Sequence, residues 1–197
     1  MQIIEKIYKW SGGLTKRTVT QYIVLHHRAG CGDADSIHST HLKKGWTGIG
    51  YHFYVRKDGT VYRGRPIDTV GAHCTNYNSK SVGICFEGNF ENETMTAAQI
   101  KAGQELISHL KGLYPSVEVK RHRDFNSTAC PGRNFEFETI KKGAVIVKKL
   151  ETANDIAWEL NHSHFPITEM DAFVKALDEA KKKDSPLYWG YYKLVNK

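Results

Sequence analysis

The stretch Thr18-Val-Thr-Gln-Tyr-Ile-Val-Leu-His-His27 is the first guide to the fold of this chain. It is rich in β-branched and apolar residues up to Leu25, a pattern that predicts a buried strand. Two adjacent histidines, His26 and His27, then end the apolar run. We therefore expect a strand that places imidazole side chains at its tip. Because side chains alternate along a strand, His27 should lie on the face opposite His26, in a structural role.

Helix signals alternate with further strand signals after this stretch. A short helix is predicted over residues 33–44, with an N-cap at Asp35 or Ser36 and Gly45 after its end. The longest helix begins at the capping box of Thr96 and Gln99 and ends before Pro115. The other strand signals cover residues 51–56, 61–63, 81–86 and 117–120, and a helical turn is expected at 135–141. This alternation predicts an α/β domain over residues 1–144.

The pattern changes to short helical segments after Gly143. Thr152 and Thr168 are suited to begin two of these helices. The sequence thus predicts a small all-α C-terminal module over residues 145–197. About 50 residues form only a marginal core alone. We expect the module to dock on the first domain, to pair with a copy of itself as a homo-oligomer, or both.

Composition excludes several classes of protein. With 40% hydrophobic and 25% charged residues over 197 positions, the chain is neither a disordered tail nor a collagen. No apolar run approaches the roughly 20 residues that a membrane span needs, and the first ten residues lack the pattern of a signal peptide. The net charge of +7 arises in residues 1–144, which suggests an anionic partner or merely a basic soluble protein. No nucleic-acid-binding motif is present, so nucleic acid is not the expected partner.

Three residues are candidate metal ligands on residue type and position. His26 ends one predicted strand, His122 follows another, and Cys130 comes eight residues later before a Pro-Gly turn. A catalytic zinc usually takes three such ligands and keeps one open position. Ten histidines give many accidental combinations, so spacing alone leaves the site open. One alternative is a cysteine hydrolase in which Cys130 is the nucleophile and His122 the base.

Six blocks of sequence together resemble one enzyme family. They are Val24-Leu-His-His27, Gly45-Trp-Thr-Gly-Ile-Gly-Tyr-His-Phe53, Asp58-Gly-Thr-Val-Tyr-Arg-Gly-Arg65, Gly71-Ala-His73, Ser81-Val-Gly-Ile-Cys-Phe-Glu-Gly-Asn89 and Arg121-His-Arg-Asp-Phe-Asn-Ser-Thr-Ala-Cys-Pro-Gly132. Over residues 18–142 the chain resembles zinc-dependent N-acetylmuramoyl-L-alanine amidases of the phage-lysozyme and peptidoglycan-recognition-protein type. The resemblance implies a mixed central sheet flanked by helices. It also implies hydrolysis of the amide between N-acetylmuramic acid and L-alanine in bacterial peptidoglycan.

The resemblance also implies roles for individual residues. It makes His26, His122 and Cys130 the ligands of Zn²⁺, with Tyr51 and Thr128 as catalytic residues. Zinc lowers the pKa of a bound water from about 15.7 to about 7, which supplies hydroxide for attack on the amide. Several relatives carry lysine at the position of Thr128. A threonine adds no fixed charge there, so the developing oxyanion would depend more on zinc and the tyrosine.

Two further histidines are predicted at the substrate groove. The family pattern places His41 near it, although simple packing explains His41 equally well, and His73 is the better candidate. Cys85 lies in an apolar run and is expected to be a buried strand thiol. The resemblance gives Glu87 no role, and none is assigned.

The predicted protein is a bacteriophage or prophage endolysin that degrades the cell wall. Its C-terminal segment, from Thr152 to Leu160, resembles the ends of other endolysins and suggests wall attachment or self-association. Lack of a signal peptide fits an enzyme held in the host cytoplasm until lysis, and the basic domain fits anionic cell-wall polymers. The main alternative is a non-catalytic peptidoglycan-binding protein of the same fold, against which Cys130 argues.

Overall fold

A computed structural model of the protein describes residues 2–144, 174–175, 178–179 and 181–182. The chain divides into two units, Met1–Ala144 and Val145–Lys197. The described positions of the second unit are helical. The other predictions for the C-terminal module, including helix starts at Thr152 and Thr168, concern residues outside the described part of the chain. No helix in the described part of the chain is both long and apolar enough to cross a membrane.

A six-stranded mixed sheet forms the centre of the first unit. Its strands in chain order are β1 (Ile3–Ile4), β2 (Tyr22–His27), β3 (Phe53–Val55), β4 (Val61–Arg63), β5 (Ser81–Phe86) and β6 (Glu118–Arg121). They lie side by side in the order β1-β4-β3-β5-β2-β6. The β3–β4 pair is antiparallel, and the other neighbouring pairs are parallel. The expectation of a mixed sheet flanked by helices is confirmed.

Three α-helices accompany the sheet within residues 2–144. They are α1 (Ala34–Lys43), α2 (Ala97–Leu113) and α3 (Phe137–Lys142). The predicted capping box of α2 is confirmed, since the Thr96 hydroxyl accepts from the Gln99 N–H and the Gln99 side chain accepts from the Thr96 N–H. The predicted start of α1 is wrong. Its N-cap is Asp33, whose carboxylate accepts from the Ser36 N–H over 2.8 Å.

Strand β2 begins later and ends later than its apolar pattern predicts. Val19 is 46% exposed, whereas the side chains of Ile23, Val24 and Leu25 are fully buried. Pairing with β5 extends through both histidines, so His26 and His27 are part of the strand and do not follow it. Strand β3 is shorter than predicted and leaves Tyr51 just outside the ladder.

The sheet separates two apolar clusters. Helices α2 and α3 cover one face with residues that include Leu106, Leu110 and Ile140. Helix α1 contributes to the cluster of the other face, which includes Cys85. His26 lies beside Cys85 in the β2–β5 register, so its side chain lies on this second face.

Candidate metal centre and active site

Two neighbouring strands bring the histidines of the site together. His26 lies near the end of β2, and His122 directly follows β6, which pairs with β2 as far as Leu25 and Arg121. The centroids of the two imidazole rings are 4.5 Å apart. Parallel pairing therefore explains how residues distant in sequence meet at the same end of the sheet, where both strands terminate.

Cys130 completes the cluster from the loop after β6. Its Sγ lies 3.8 Å from His26 Nδ1, and the His27 N–H donates to the same sulfur over 3.4 Å. One ligand atom from each of His26, His122 and Cys130 lies within 4.8 Å of the others. The structure thus brings together the three residues predicted as metal ligands, and the cluster could hold a metal ion.

The chemistry of these donors fits a divalent cation such as zinc. Burial lowers the pKa values of His26 and His122, which keeps both rings neutral with a lone pair available. Burial raises the pKa of the Cys130 thiol to about 11, although the His27 N–H opposes this shift. A thiol held in its protonated form is a poor nucleophile, which argues against the cysteine-hydrolase alternative. A bound cation would instead displace its proton.

Tyr51 lies beside the cluster, two residues before β3. Its ring centroid is 5.2 Å from that of His26. Tyr51 packs against the apolar cluster that contains Cys85, and burial is the main cause that raises the pKa of Tyr51 well above its usual value. The phenol therefore keeps its proton and can donate a hydrogen bond to a reacting oxygen.

Thr128 is exposed on the loop that leads to Cys130. Its Oγ1 accepts from the Cys130 N–H over 3.2 Å. Because the hydroxyl acts as an acceptor in this contact, its proton is left to donate elsewhere. This hydrogen bond fixes the position of Thr128 relative to Cys130, a candidate metal ligand two residues later in the chain.

His41 and His73 are both buried, with 8% of their surface exposed. The His41 Nδ1 accepts from the Gly50 N–H over 3.0 Å, and burial lowers the pKa of its ring to about 4. His73 contacts His26, with 3.0 Å between His73 Nδ1 and His26 Nε2. Direct contact of either histidine with substrate stays a prediction.

A groove of about 570 Å³ opens beside His122. Among the residues that line it are Trp46, Thr47, Cys74, Thr75 and Asn78. His73 also contributes to its wall. The groove combines an aromatic ring with hydroxyl and amide groups, which suits a ligand that carries both sugar and peptide parts.

Sequence reasoning missed the residues that support the cluster. The Asn126 N–H donates to the His122 carbonyl over 3.1 Å, and its side chain opposes the effect of burial on the pKa of the His122 ring. Ser81, which the sequence suggested only as the start of a strand, lies with its Oγ 3.5 Å from His73 Nε2. Both residues lie within the sequence blocks that resemble the family, but neither residue type on its own predicts a contact with a histidine.

His27 and Glu87 have structural partners. The His27 Nδ1 accepts from the Phe90 N–H over 3.2 Å, which matches the expected structural role on the opposite face. Glu87 is 4% exposed, and its carboxylate accepts from the backbone N–H groups of Gly32 and Lys57 and from the Arg56 side chain. Glu87 therefore connects two loops to the sheet.

The chain is similar to known amidases and peptidoglycan-recognition proteins. The family described as N-acetylmuramoyl-L-alanine amidase matches residues 15–133. An endolysin of Enterobacteria phage K11 is 34% identical over 141 residues, covering 67% of this chain and 93% of the phage protein. Peptidoglycan-recognition protein SC2 of Drosophila melanogaster is 38% identical over 145 residues, covering 64% of this chain and 79% of the fly protein.

Solved structures show the same relationship. The N-acetylmuramoyl-L-alanine amidase LysC from Clostridium intestinale is 42% identical with a TM-score of 0.70, covering 72% of this chain and 95% of LysC. The Ph2119 endolysin of a Thermus scotoductus bacteriophage is 31% identical with a TM-score of 0.65, covering 73% of this chain and all of that chain. The chain therefore belongs to the N-acetylmuramoyl-L-alanine amidase family and is a peptidoglycan-hydrolysing enzyme of the endolysin type.

Proposed function

We propose that this enzyme cleaves the amide between the lactyl group of N-acetylmuramic acid and L-alanine, with zinc held by His26, His122 and Cys130. The observation that carries the proposal is the convergence of these three ligand atoms within 4.8 Å of one another. Two neutral imidazoles and one thiolate form a ligand set that zinc favours and that leaves a position open. When bound, zinc supplies a Lewis acid that polarises the substrate carbonyl and lowers the pKa of a water molecule to about 7.

The remaining steps belong to the side chains around the cluster. Tyr51 keeps its proton and donates a hydrogen bond to the carbonyl oxygen as negative charge develops there. Thr128 donates a second hydrogen bond from its exposed loop, without a fixed positive charge. Tyr51 and Thr128 would thus stabilise the oxyanion together with a bound metal ion.

The groove beside His122 is the proposed substrate site. Trp46 offers an apolar ring, and the hydroxyls of Thr47 and Thr75 offer polar contacts to the stem peptide. The +7 charge of the chain favours association with anionic cell-wall polymers, which salt should weaken. We further propose that the protein remains in the host cytoplasm until lysis, and that residues 145–197 attach to the wall or self-associate.

A non-catalytic peptidoglycan-binding protein is the second candidate, because peptidoglycan-recognition proteins are among the relatives. The cluster favours the enzyme, since the cysteine supplies a third metal-ligand candidate where a binder needs none. Binding to sacculi without release of peptides would favour this second candidate.

Digestion of purified sacculi tests the proposal. The full chain is compared with Cys130→Ser, in zinc and in chelator, and new termini are identified by mass spectrometry. We expect intact stem peptides with free L-alanine amines only from the zinc-loaded wild type. Cut glycan strands or cut cross-links would contradict the assigned bond. Inactivation by thiol alkylation together with indifference to chelator would support the cysteine hydrolase instead.

A further inference from the structure

His26 has two ring nitrogens, and each faces a different group. Nδ1 lies 3.8 Å from Cys130 Sγ, on the side of the metal-ligand cluster. Nε2 lies 3.0 Å from His73 Nδ1. Both rings are buried, at 1% and 8% exposure. Water therefore has little access to this contact, and one nitrogen must donate while the other accepts.

The direction of the His26–His73 hydrogen bond follows from the contacts of Ser81, which lies on the other side of the His73 ring. The Ser81 hydroxyl donates to the Tyr77 carbonyl over 2.7 Å, and a carbonyl can only accept. The Ser81 oxygen is then left to accept from His73 Nε2–H, at 3.5 Å. A neutral His73 that carries its proton on Nε2 has a bare Nδ1. His26 must accordingly donate through Nε2–H, which leaves its own Nδ1 lone pair directed at the cluster.

Two glycines make room for the His73 ring. A Cβ atom placed on Gly83 would lie 2.5 Å from His73 Cγ and Cδ2, and one on Gly71 would lie 2.5 Å from His73 Cδ2. Neither glycine has a positive φ in this structure. Close approach of the imidazole, rather than backbone conformation, therefore accounts for glycine at these positions. The ring of His73 is confined between the strand and the loop, so its contact with His26 is built into the fold.

We propose that His73 is a positioning residue that holds His26 in the tautomer with a bare Nδ1, so that this nitrogen faces the metal. The inference rests on the zinc site proposed above and goes beyond the predicted substrate contact of His73. Partners of this kind commonly change metal affinity by about 10–100-fold when they are removed.

Paired substitutions separate the hydrogen bond from packing. His73→Asn can place its amide oxygen near the position of Nδ1 and so keeps an acceptor, whereas His73→Leu fills similar space with none. Zinc affinity of each full-length variant is measured by competition with a chromophoric chelator. We expect a loss of about 10–100-fold for His73→Leu and a clearly smaller loss for His73→Asn.

A second buried histidine provides the matched control. His38 also forms hydrogen bonds to backbone groups through both ring nitrogens, with the Ile49 N–H and the Lys9 carbonyl. It does not belong to the series of contacts from Ser81 through His73 to His26. His38→Leu should reduce stability and leave the zinc affinity of the folded protein unchanged. Equal zinc affinity of His73→Leu and wild type would overturn the inference, and so would equal losses for the leucine and asparagine variants.

The tautomer itself is measured in the metal-free wild type. Long-range ¹H–¹⁵N correlation spectra distinguish the two neutral forms of each histidine, and we expect His26 protonated at Nε2 and His73 protonated at Nε2. His26 protonated at Nδ1 would overturn the inference, whether or not any variant folds. Failure of the wild type to bind zinc would instead contradict the proposed function, and the metal-free spectrum would still decide the role of His73.

Discussion

The thiol of Cys74 donates a hydrogen bond to the side-chain oxygen of Asn126 over 3.1 Å. The backbone N–H of Asn126 donates to the His122 carbonyl over 3.1 Å, and the Asn126 side chain favours a proton on the His122 ring, against the effect of burial on its pKa. A proton held on one ring nitrogen leaves the other for a metal. Asn126→Ala should weaken zinc binding by about 10-fold or more, measured by chelator competition. Cys74→Ser keeps a donor toward the amide and is the control. Unchanged affinity of the alanine variant would show that His122 needs no such support.

Tyr51 should act on the reaction rather than on the metal. Tyr51→Phe removes the phenolic hydroxyl, which burial keeps protonated, and leaves the aromatic ring beside His26. Loss of one oxyanion donor typically lowers kcat by about 100–1,000-fold. We expect that loss in a soluble muropeptide assay, with zinc affinity within about twofold of wild type. A matching fall in zinc affinity would instead make Tyr51 a structural support of the cluster.

Thr128 should contribute less than Tyr51, because its exposed hydroxyl adds a neutral hydrogen bond. Thr128→Val keeps the shape and removes the hydroxyl, both as a donor to substrate and as the acceptor of the Cys130 N–H. A net hydrogen bond of about 1 kcal/mol corresponds to a fall in kcat/KM of about 5–10-fold. Thr128→Ser retains the hydroxyl and should stay close to wild type. If the valine and serine variants are equally active, the hydroxyl takes no part in the reaction.

His52 should make stability depend on pH. Its ring is fully buried between the Gly83 N–H, which donates to Nδ1, and the Thr69 carbonyl, which lies 2.9 Å from Nε2. Burial, together with Arg17 nearby, lowers the pKa of His52 to about 3, although the contact with Thr69 opposes the shift. In the unfolded chain, His52 therefore binds a proton near pH 6.5, whereas in the folded protein it stays neutral down to about pH 3. The contribution of His52 to the free energy of unfolding is fully present above about pH 6.5. Below that pH it decreases by about 1.4 kcal/mol per pH unit.

Urea unfolding of the metal-free protein at several pH values measures this dependence. Other buried histidines contribute to the total slope, so His52→Asn, which keeps an acceptor for the Gly83 N–H, is the matched comparison. We expect a shallower slope for the variant between about pH 6.5 and about pH 4. Parallel curves would mean that His52 titrates alike in the folded and unfolded chains.

Glu87 should matter to stability without contributing to catalysis. Its carboxylate accepts from two backbone N–H groups and from Arg56, whose side chain is 35% exposed. Because that exposure screens the ion pair, most of the loss should come from the backbone donors. Glu87→Gln should lower the free energy of unfolding by about 2 kcal/mol, measured in urea, with zinc affinity unchanged. Loss of zinc binding in the folded variant would contradict this purely structural role.

Much of the fold follows from local sequence. Strand β5 and the capping box of α2 match their predicted positions, because an apolar run and a capping pattern are both local signals. The start of α1 was missed because Asp33, Asp35 and Ser36 are all good caps by type. Asp33 is the cap in the structure, where its carboxylate reaches the Ser36 N–H. Sequence alone does not distinguish among them.

The three candidate ligands were identified from residue type, spacing and family resemblance, and the structure places them together. Their supports could not be identified that way. The contact between Ser81 and His73 depends on how the loop after Gly71 folds over β5, and no periodicity encodes such a contact. Likewise, the placement of Asn126 beside Cys74 joins residues 52 positions apart in the chain.

Strand β2 is paired with β5 through His27 and with β6 as far as Leu25, the residue before His26. The backbone that carries His26 is therefore among the last parts of the protein to open, and its amide protons should exchange slowly. We therefore expect a cation at the cluster to bind and leave through side-chain motion alone, with kinetics separate from those of unfolding.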